Sequence, residues 1–173
     1  ELTMKDKIAW WLMGLFNNIG FVIMAASAKS ILPSSVGIVY LANSFPSLLL
    51  RLSAPYWFNK VSVQIRMTSA FILFITGFTV VAICESTKLK LLGVACISAQ
   101  CGLGEMSMLA MSTRFPQASL TYWSSGTGGA GIFGYAYVVA LHRWLGLSNF
   151  IVLISANAIG VSYYGTFRSF DIP

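Results

Sequence analysis

Apolar residues run through this chain in six long blocks, at about 8–27, 36–58, 65–84, 89–113, 119–141 and 147–167. Each comes close to, or exceeds, the roughly 20 residues that cross a hydrocarbon core at about 1.5 Å rise per residue. The blocks are apolar all round. Strands of a membrane barrel would instead be about ten residues long and alternate strictly. With no water in lipid to satisfy backbone groups, the helix is the spanning structure that remains. The predicted fold class is therefore all-α, a polytopic transmembrane helical bundle of six spans. Polar and helix-breaking residues collect between the blocks: Lys29 with Pro33, Asn59 with Lys60, Glu85 with Lys88 and Lys90, Arg114 with Pro116, and His142 with Arg143. The connections are short, which predicts antiparallel neighbours. Residues 1–173 read as a single domain without a soluble module, linker, low-complexity tract or clear internal repeat.

Composition supports lipid as the solvent. Hydrophobic residues make up 57% of the 173 and charged ones 9%, against about 25% charged in soluble domains. The net charge of +6 is spread over the connections without a basic patch, so it points to no nucleic-acid partner. With the N-terminus inside, the inner segments hold Lys5, Lys7, Lys60, Arg66, Arg114 and Arg168, and the outer ones Lys29, Lys88, Lys90 and Arg143. That is a slight inside excess. Lys5 and Lys7 ahead of an apolar run ending in Ala26-Ser27-Ala28 resemble a secretory signal. The run is too long for one and carries Asn17 and Asn18, so a true span is expected. The chain opens on Glu1, which suggests a fragment or a processed product.

Enzyme chemistry finds no support in the motifs. Gly126-Thr127-Gly128-Gly129-Ala130-Gly131 matches the spacing of a dinucleotide loop, but no strand precedes it and no acid follows at the required distance. Gly102-Leu103-Gly104-Glu105 faintly resembles the motif of intramembrane aspartyl proteases, whose chemistry needs a second carboxylate in the same site. His142 stands alone near a helix end. Cys84, Cys96 and Cys101 lack metal-site or disulfide spacing. No cofactor, metal or catalytic residue is expected.

The membrane-specific residues carry more. Glu105 falls near the middle of the fourth block, where ionisable groups are costly and commonly bind protons or ions inside a bundle or wet cavity. The alternative is a protonated Glu in one interhelical hydrogen bond. Asn17 and Asn18 lie at comparable depth, as cavity lining or as interhelical hydrogen-bond donors. Arg51, three quarters along the second block, is expected to snorkel to the interface. Residues 124–131 are all small. Ser124 and Ser125 are candidates for cavity lining, and Gly126, Gly128, Gly129 and Gly131 for close packing or a hinge. Pro46 is a further candidate bend.

The string Tyr122-Trp123-Ser124-Ser125-Gly126-Thr127-Gly128-Gly129-Ala130-Gly131 resembles the signature of the battenin family, the lysosomal or vacuolar membrane proteins affected in juvenile Batten disease. The resemblance continues in order through Trp11-Leu12-Met13-Gly14-Leu15 with Asn17-Asn18, Leu41-Ala42 with Phe45-Pro46-Ser47-Leu48, Leu52-Ser53-Ala54-Pro55, and Gly102-Leu103-Gly104-Glu105. It implies one half of a major-facilitator-like fold, with the C-terminal half of the same protein as the missing partner. It also implies a transporter of small polar solutes, such as glycerophosphodiesters or basic amino acids, with a part in organelle pH homeostasis. A non-transporting scaffold that acts through partners is the alternative. Two departures stand out: Asn43-Ser44 where the family commonly has an Asp, and a short loop with Lys29-Ser30 where it often has an acid. Glu105 is left as the coupling candidate.

Overall fold

A computed structural model describes residues 2–170. The helices are α1 (Met4–Ala26), α2 (Ala28–Ile31), α3 (Val36–Trp57), α4 (Val63–Ile83), α5 (Thr87–Ser112), α6 (Ala118–Val139), α7 (Asn149–Ser155) and α8 (Asn157–Arg168). No strand occurs among the described residues. Local sequence sets the ends. The Thr3 hydroxyl accepts from the backbone N–H of Asp6 at 3.2 Å, and the Asp6 carboxylate accepts from the backbone N–H of Thr3 at 3.1 Å. This reciprocal box starts α1. Ser62 and Ser148 cap α4 and α7 in the simpler one-sided way. After α6 the backbone widens into a π-type turn at Ala140–Trp144 and reverses at Gly146, whose φ of 64° suits glycine.

Five stretches are long and apolar enough to cross a membrane: Met4–Ala26, Val36–Lys60, Val63–Ile83, Thr87–Ser112 and Asn149–Arg168. The remaining predicted block is α6. Its 22 residues give about 33 Å at ~1.5 Å per residue. The last block is broken rather than continuous. A turn at Ala156 separates α7 from α8, and the Asn157 amide donates to Thr79 Oγ1 of α4 at 3.1 Å.

α1 is the hub, packing against α6, α5 and α8, while α4 pairs with α5, and α3 leans on α5. Two apolar cores result. One gathers Ile19, Ile23, Phe74, Phe78 and Ile97, the other Trp10, Met13, Met67, Met108 and Trp123. Trp10, Phe74 and Phe78 are fully enclosed. By contrast α3 buries only Val39, Asn43 and Ser47.

Helices approach most closely through glycine. A Cβ at Gly14 would collide with the Trp123 carbonyl oxygen, and one at Gly126 with the Trp11 carbonyl oxygen. The α1 and α6 backbones therefore touch, the geometry that small residues permit between membrane helices. Gly77 and Gly93 do the same for α4 and α5, each Cβ position lying 2.8 Å from the other's carbonyl oxygen.

The small-residue string thus divides by face. Gly126 is packed against backbone, and a Cβ at Gly129 would lie 3.4 Å from the Trp11 ring. Gly128 and Gly131 have open space where a side chain would be. α6 runs unbroken through residues 124–131. α3 also continues past Pro46. The next backbone N–H, of Ser47, donates to Ser98 Oγ of α5 at 3.1 Å, so a neighbouring helix takes up the polar group that a proline-disturbed ladder leaves.

The split makes a stability prediction. Gly126→Ala should destabilise by about 1–3 kcal/mol through overpacking. Gly128→Ala should be neutral or stabilising by up to about 1 kcal/mol through helix propensity. Thermal unfolding in detergent measures both, and equal losses would contradict the assigned faces.

Candidate functional site

Between the two apolar cores lies a polar layer built from α1, α5 and α8. Asn17 is fully enclosed. Its amide donates to the Cys101 carbonyl at 3.1 Å, and its Oδ1 accepts from Gln100 Nε2 at 3.2 Å and from the Tyr163 hydroxyl at 3.1 Å. Gly104 makes this possible: a side chain there would occupy the space of Asn17 Oδ1 and the Tyr163 hydroxyl. The two glycines of Gly102-Leu103-Gly104-Glu105 thus serve close approach, since Gly102 likewise faces Ser47 of α3, with its Cβ position 3.0 Å from the Ser47 Cα.

One residue further on, Asn18 is half-buried. Its amide donates to the Gly14 carbonyl at 3.0 Å and to Thr127 Oγ1 of α6 at 3.1 Å, while the Cys101 thiol donates to its Oδ1 at 3.4 Å. Asn18 and Cys101 open onto a cavity of about 430 Å³, shared with Phe21 of α1 and with Leu41, Ser44, Phe45, Ser47, Leu48 and Arg51 of α3. Such a volume, mainly apolar with a few convergent polar groups, is typical of small-molecule sites.

Arg51 donates from Nη2 to Glu105 Oε2 at 2.7 Å. The expectation that Arg51 snorkels to the interface is corrected here. A lone charge at mid-membrane costs about 3 kcal/mol on insertion scales, and pairing offsets that cost for both partners. The pair is not sealed in the core, since the side chains are 45% and 28% exposed.

The sequence-predicted residues are thereby sorted. Glu105 sits in the ion pair at the cavity's Arg51 wall, and Asn18 lines the cavity. Asn17 lies behind it in the enclosed layer. Ser124 and Ser125 are exposed on α6 and are not among the cavity's lining residues, and Pro46 stands in α3 beside the lining residues Phe45 and Ser47. The dinucleotide-like glycines lie in mid-helix, where backbone N–H groups are already bonded and cannot cradle a phosphate. Among the described residues no three His, Cys, Asp or Glu side chains gather as metal ligands. Sequence reading passed over Gln100 and Tyr163, and noted Asn43 only as a departure from the family pattern. Gln100 and Asn43 carried a usable signal, a polar amide inside an apolar block. Tyr163 carried none, because its partner lies 146 positions away.

Comparison with known proteins bears on this arrangement directly. The family model described as CLN3 protein matches residues 8–170, a stretch that includes Asn17, Asn18, Arg51, Glu105 and the whole small-residue string. The chain belongs to the CLN3 (battenin) family. The Protein BTN1 of Chaetomium globosum is 40% identical over 145 residues, 81% of this chain and 32% of that one. The Saccharomyces cerevisiae Protein BTN1 is 37% identical over 131 residues, covering 73% and 31%. The Eremothecium gossypii Protein BTN1 is 32% identical over 166 residues, covering 92% and 39%. The chain spans about a third of the length of these curated relatives. No solved structure matches it. As a CLN3-family chain with these helices, it is a multi-pass membrane protein.

The polar layer separates structural from site residues. Asn17→Ala leaves Gln100 and Tyr163 without their shared acceptor and should destabilise this CLN3-family chain by about 1–3 kcal/mol. Tyr163→Phe removes one bond and should cost about 0.6 kcal/mol, the average for interhelical hydrogen bonds in membranes. Chemical unfolding in mixed micelles tests the order, and a larger loss for Tyr163→Phe would contradict it.

Proposed function

We propose that this chain forms part of a transporter of small polar solutes in the lysosomal or vacuolar membrane, with a role in organelle pH and solute homeostasis. The observation that carries the proposal is the Arg51–Glu105 pair beside the Asn18 cavity. The pair is partly open, within helices long enough to span lipid, next to a cavity of suitable size. Ionisable residues in such positions mark ion and solute pathways.

In this reading the cavity alternates between the two sides as the parts of the full-length protein rock about it. The wall opposite α3 comes from the portion of the relatives' length that lies outside this chain. Glu105 takes up a proton or cation. Protonation cancels the carboxylate charge and frees the Arg51 guanidinium, so proton occupancy and solute binding become linked through one hydrogen bond. Asn18 and Ser44 contact the solute, while Asn17 holds α1, α5 and α8 in register.

Reconstitution of the full-length parent in proteoliposomes, with solute flux measured with and without a pH gradient, tests the proposal. Saturable flux stimulated by the gradient is expected, and Glu105→Gln should abolish most of that stimulation. No saturable flux of any candidate solute from correctly folded protein would overturn the transport reading. An unchanged pH profile in Glu105→Gln would remove Glu105 from coupling.

A further inference from the structure

A second and larger cavity, about 680 Å³, lies at the end of the bundle where α3 turns into α4 and where α5 stops. Arg66 and Arg114 line it together with the polar side chains of Asn59, Ser62, Ser107 and Thr113, and none of its lining residues is acidic. Arg66 is only 7% exposed. Its Nη1 donates to the Phe58 carbonyl at 2.7 Å, and its guanidinium lies 3.5 Å over the Phe58 ring. Its Nε has no partner. A buried cation without a counter-charge is costly unless something anionic completes it. Arg114 stands exposed at the rim. The carboxyl ends of α3 and α5 bring carbonyls to the same rim, and the two guanidiniums outweigh those partial charges. The amino end of α4 adds a favourable one.

We propose that this cavity binds a phosphate-bearing group, with Arg66 and Arg114 as its charged contacts. Guanidinium forks match phosphoryl oxygens in pairs, which a point-charge ammonium does not. The volume far exceeds a bare phosphate and admits a substituted headgroup. The site lies at the end of helices that span lipid, the depth at which headgroup phosphates occur. Val61, Val63, Ala110 and Met111 supply apolar wall for the carbon skeleton of such a group. The same chemistry would accept a soluble phosphate ester, so the test separates the two sources.

The test places the 173-residue chain in nanodiscs of phosphatidylcholine with a minor fraction of phosphatidylinositol 4-phosphate and measures lipid retention by native mass spectrometry. The chain should retain the phosphoinositide over phosphatidylcholine, and Arg114→Gln should lower that retention about fivefold, the effect of one basic residue at an anionic headgroup. Arg114 is exposed, so this variant keeps the fold, as circular dichroism would verify. Arg66→Lys keeps the charge, loses the fork, and should also lower retention. Arg168→Gln, a basic residue at the same end but outside the cavity, should leave retention unchanged. Binding of soluble inositol 1,4-bisphosphate with no preference for the phosphoinositide over phosphatidylcholine would assign the site to a free phosphate ester. Retention unchanged in Arg114→Gln, an equal loss in Arg168→Gln, or binding of neither lipid nor ester would overturn the proposal.

Discussion

The contact between the α1 and α6 backbones at Gly14 and Gly126 is the constraint on which much of the bundle depends. In lipid no hydrophobic force pulls helices together, so association rests on dispersion contacts and interhelical hydrogen bonds, both of which need short distances. Because each glycine faces a carbonyl of the opposite helix, α6 lies close enough for Thr127 to reach Asn18. It is also close enough for Ala130 to join the core around Ile19 and Ile23. The same device repeats at Gly77 and Gly93, between α4 and α5, and at Gly102, against Ser47. The glycines that would weaken a helix in water are here held in helical form by the surfaces they admit.

Close packing then allows polarity at depth. Asn17 bonds Gln100, Tyr163 and the Cys101 carbonyl inside a layer with apolar residues on both sides. That layer fixes the mutual register of α1, α5 and α8. On its open side stand Asn18, Arg51 and Glu105, polar groups of similar chemistry in a different environment. Enclosure distinguishes the two sets: Asn17, Gln100 and Tyr163 are sealed between helices, with Gln100 Oε1 left without a partner, while Asn18, Arg51 and Glu105 are partly exposed.

The protein thus presents two polar concavities at two depths. The first, between α1 and α3, has in its wall Arg51, which is paired with Glu105 of α5. The second, at the end of α3, α4 and α5, carries two guanidiniums and no acid among its lining residues, so its positive charge is fixed. CLN3-family membership covers both, since the matched residues run from 8 to 170.

Much of the fold was legible in order along the chain. Block length and all-round apolarity determined helices in lipid, and the polar connections determined their ends to within a few residues. Glu105 was legible because an acid inside an apolar block is costly wherever the block packs. What stayed hidden depended on partners distant in sequence. Arg51 reads as an interfacial anchor until α3 lies on α5 and brings Glu105 to 2.7 Å. Asn17 and Asn18 read as equivalent until the 100° step of the helix sends one into the sealed layer and the other to the cavity. The small residues at 124–131 read as one feature until α1 covers Gly126 and leaves Gly128 open. By itself the sequence determined that these helices form and that lipid is their solvent, because hydropathy and backbone satisfaction are local properties. Only the tertiary structure decided which polar groups are bonded and which are free, because that depends on the helix facing each of them.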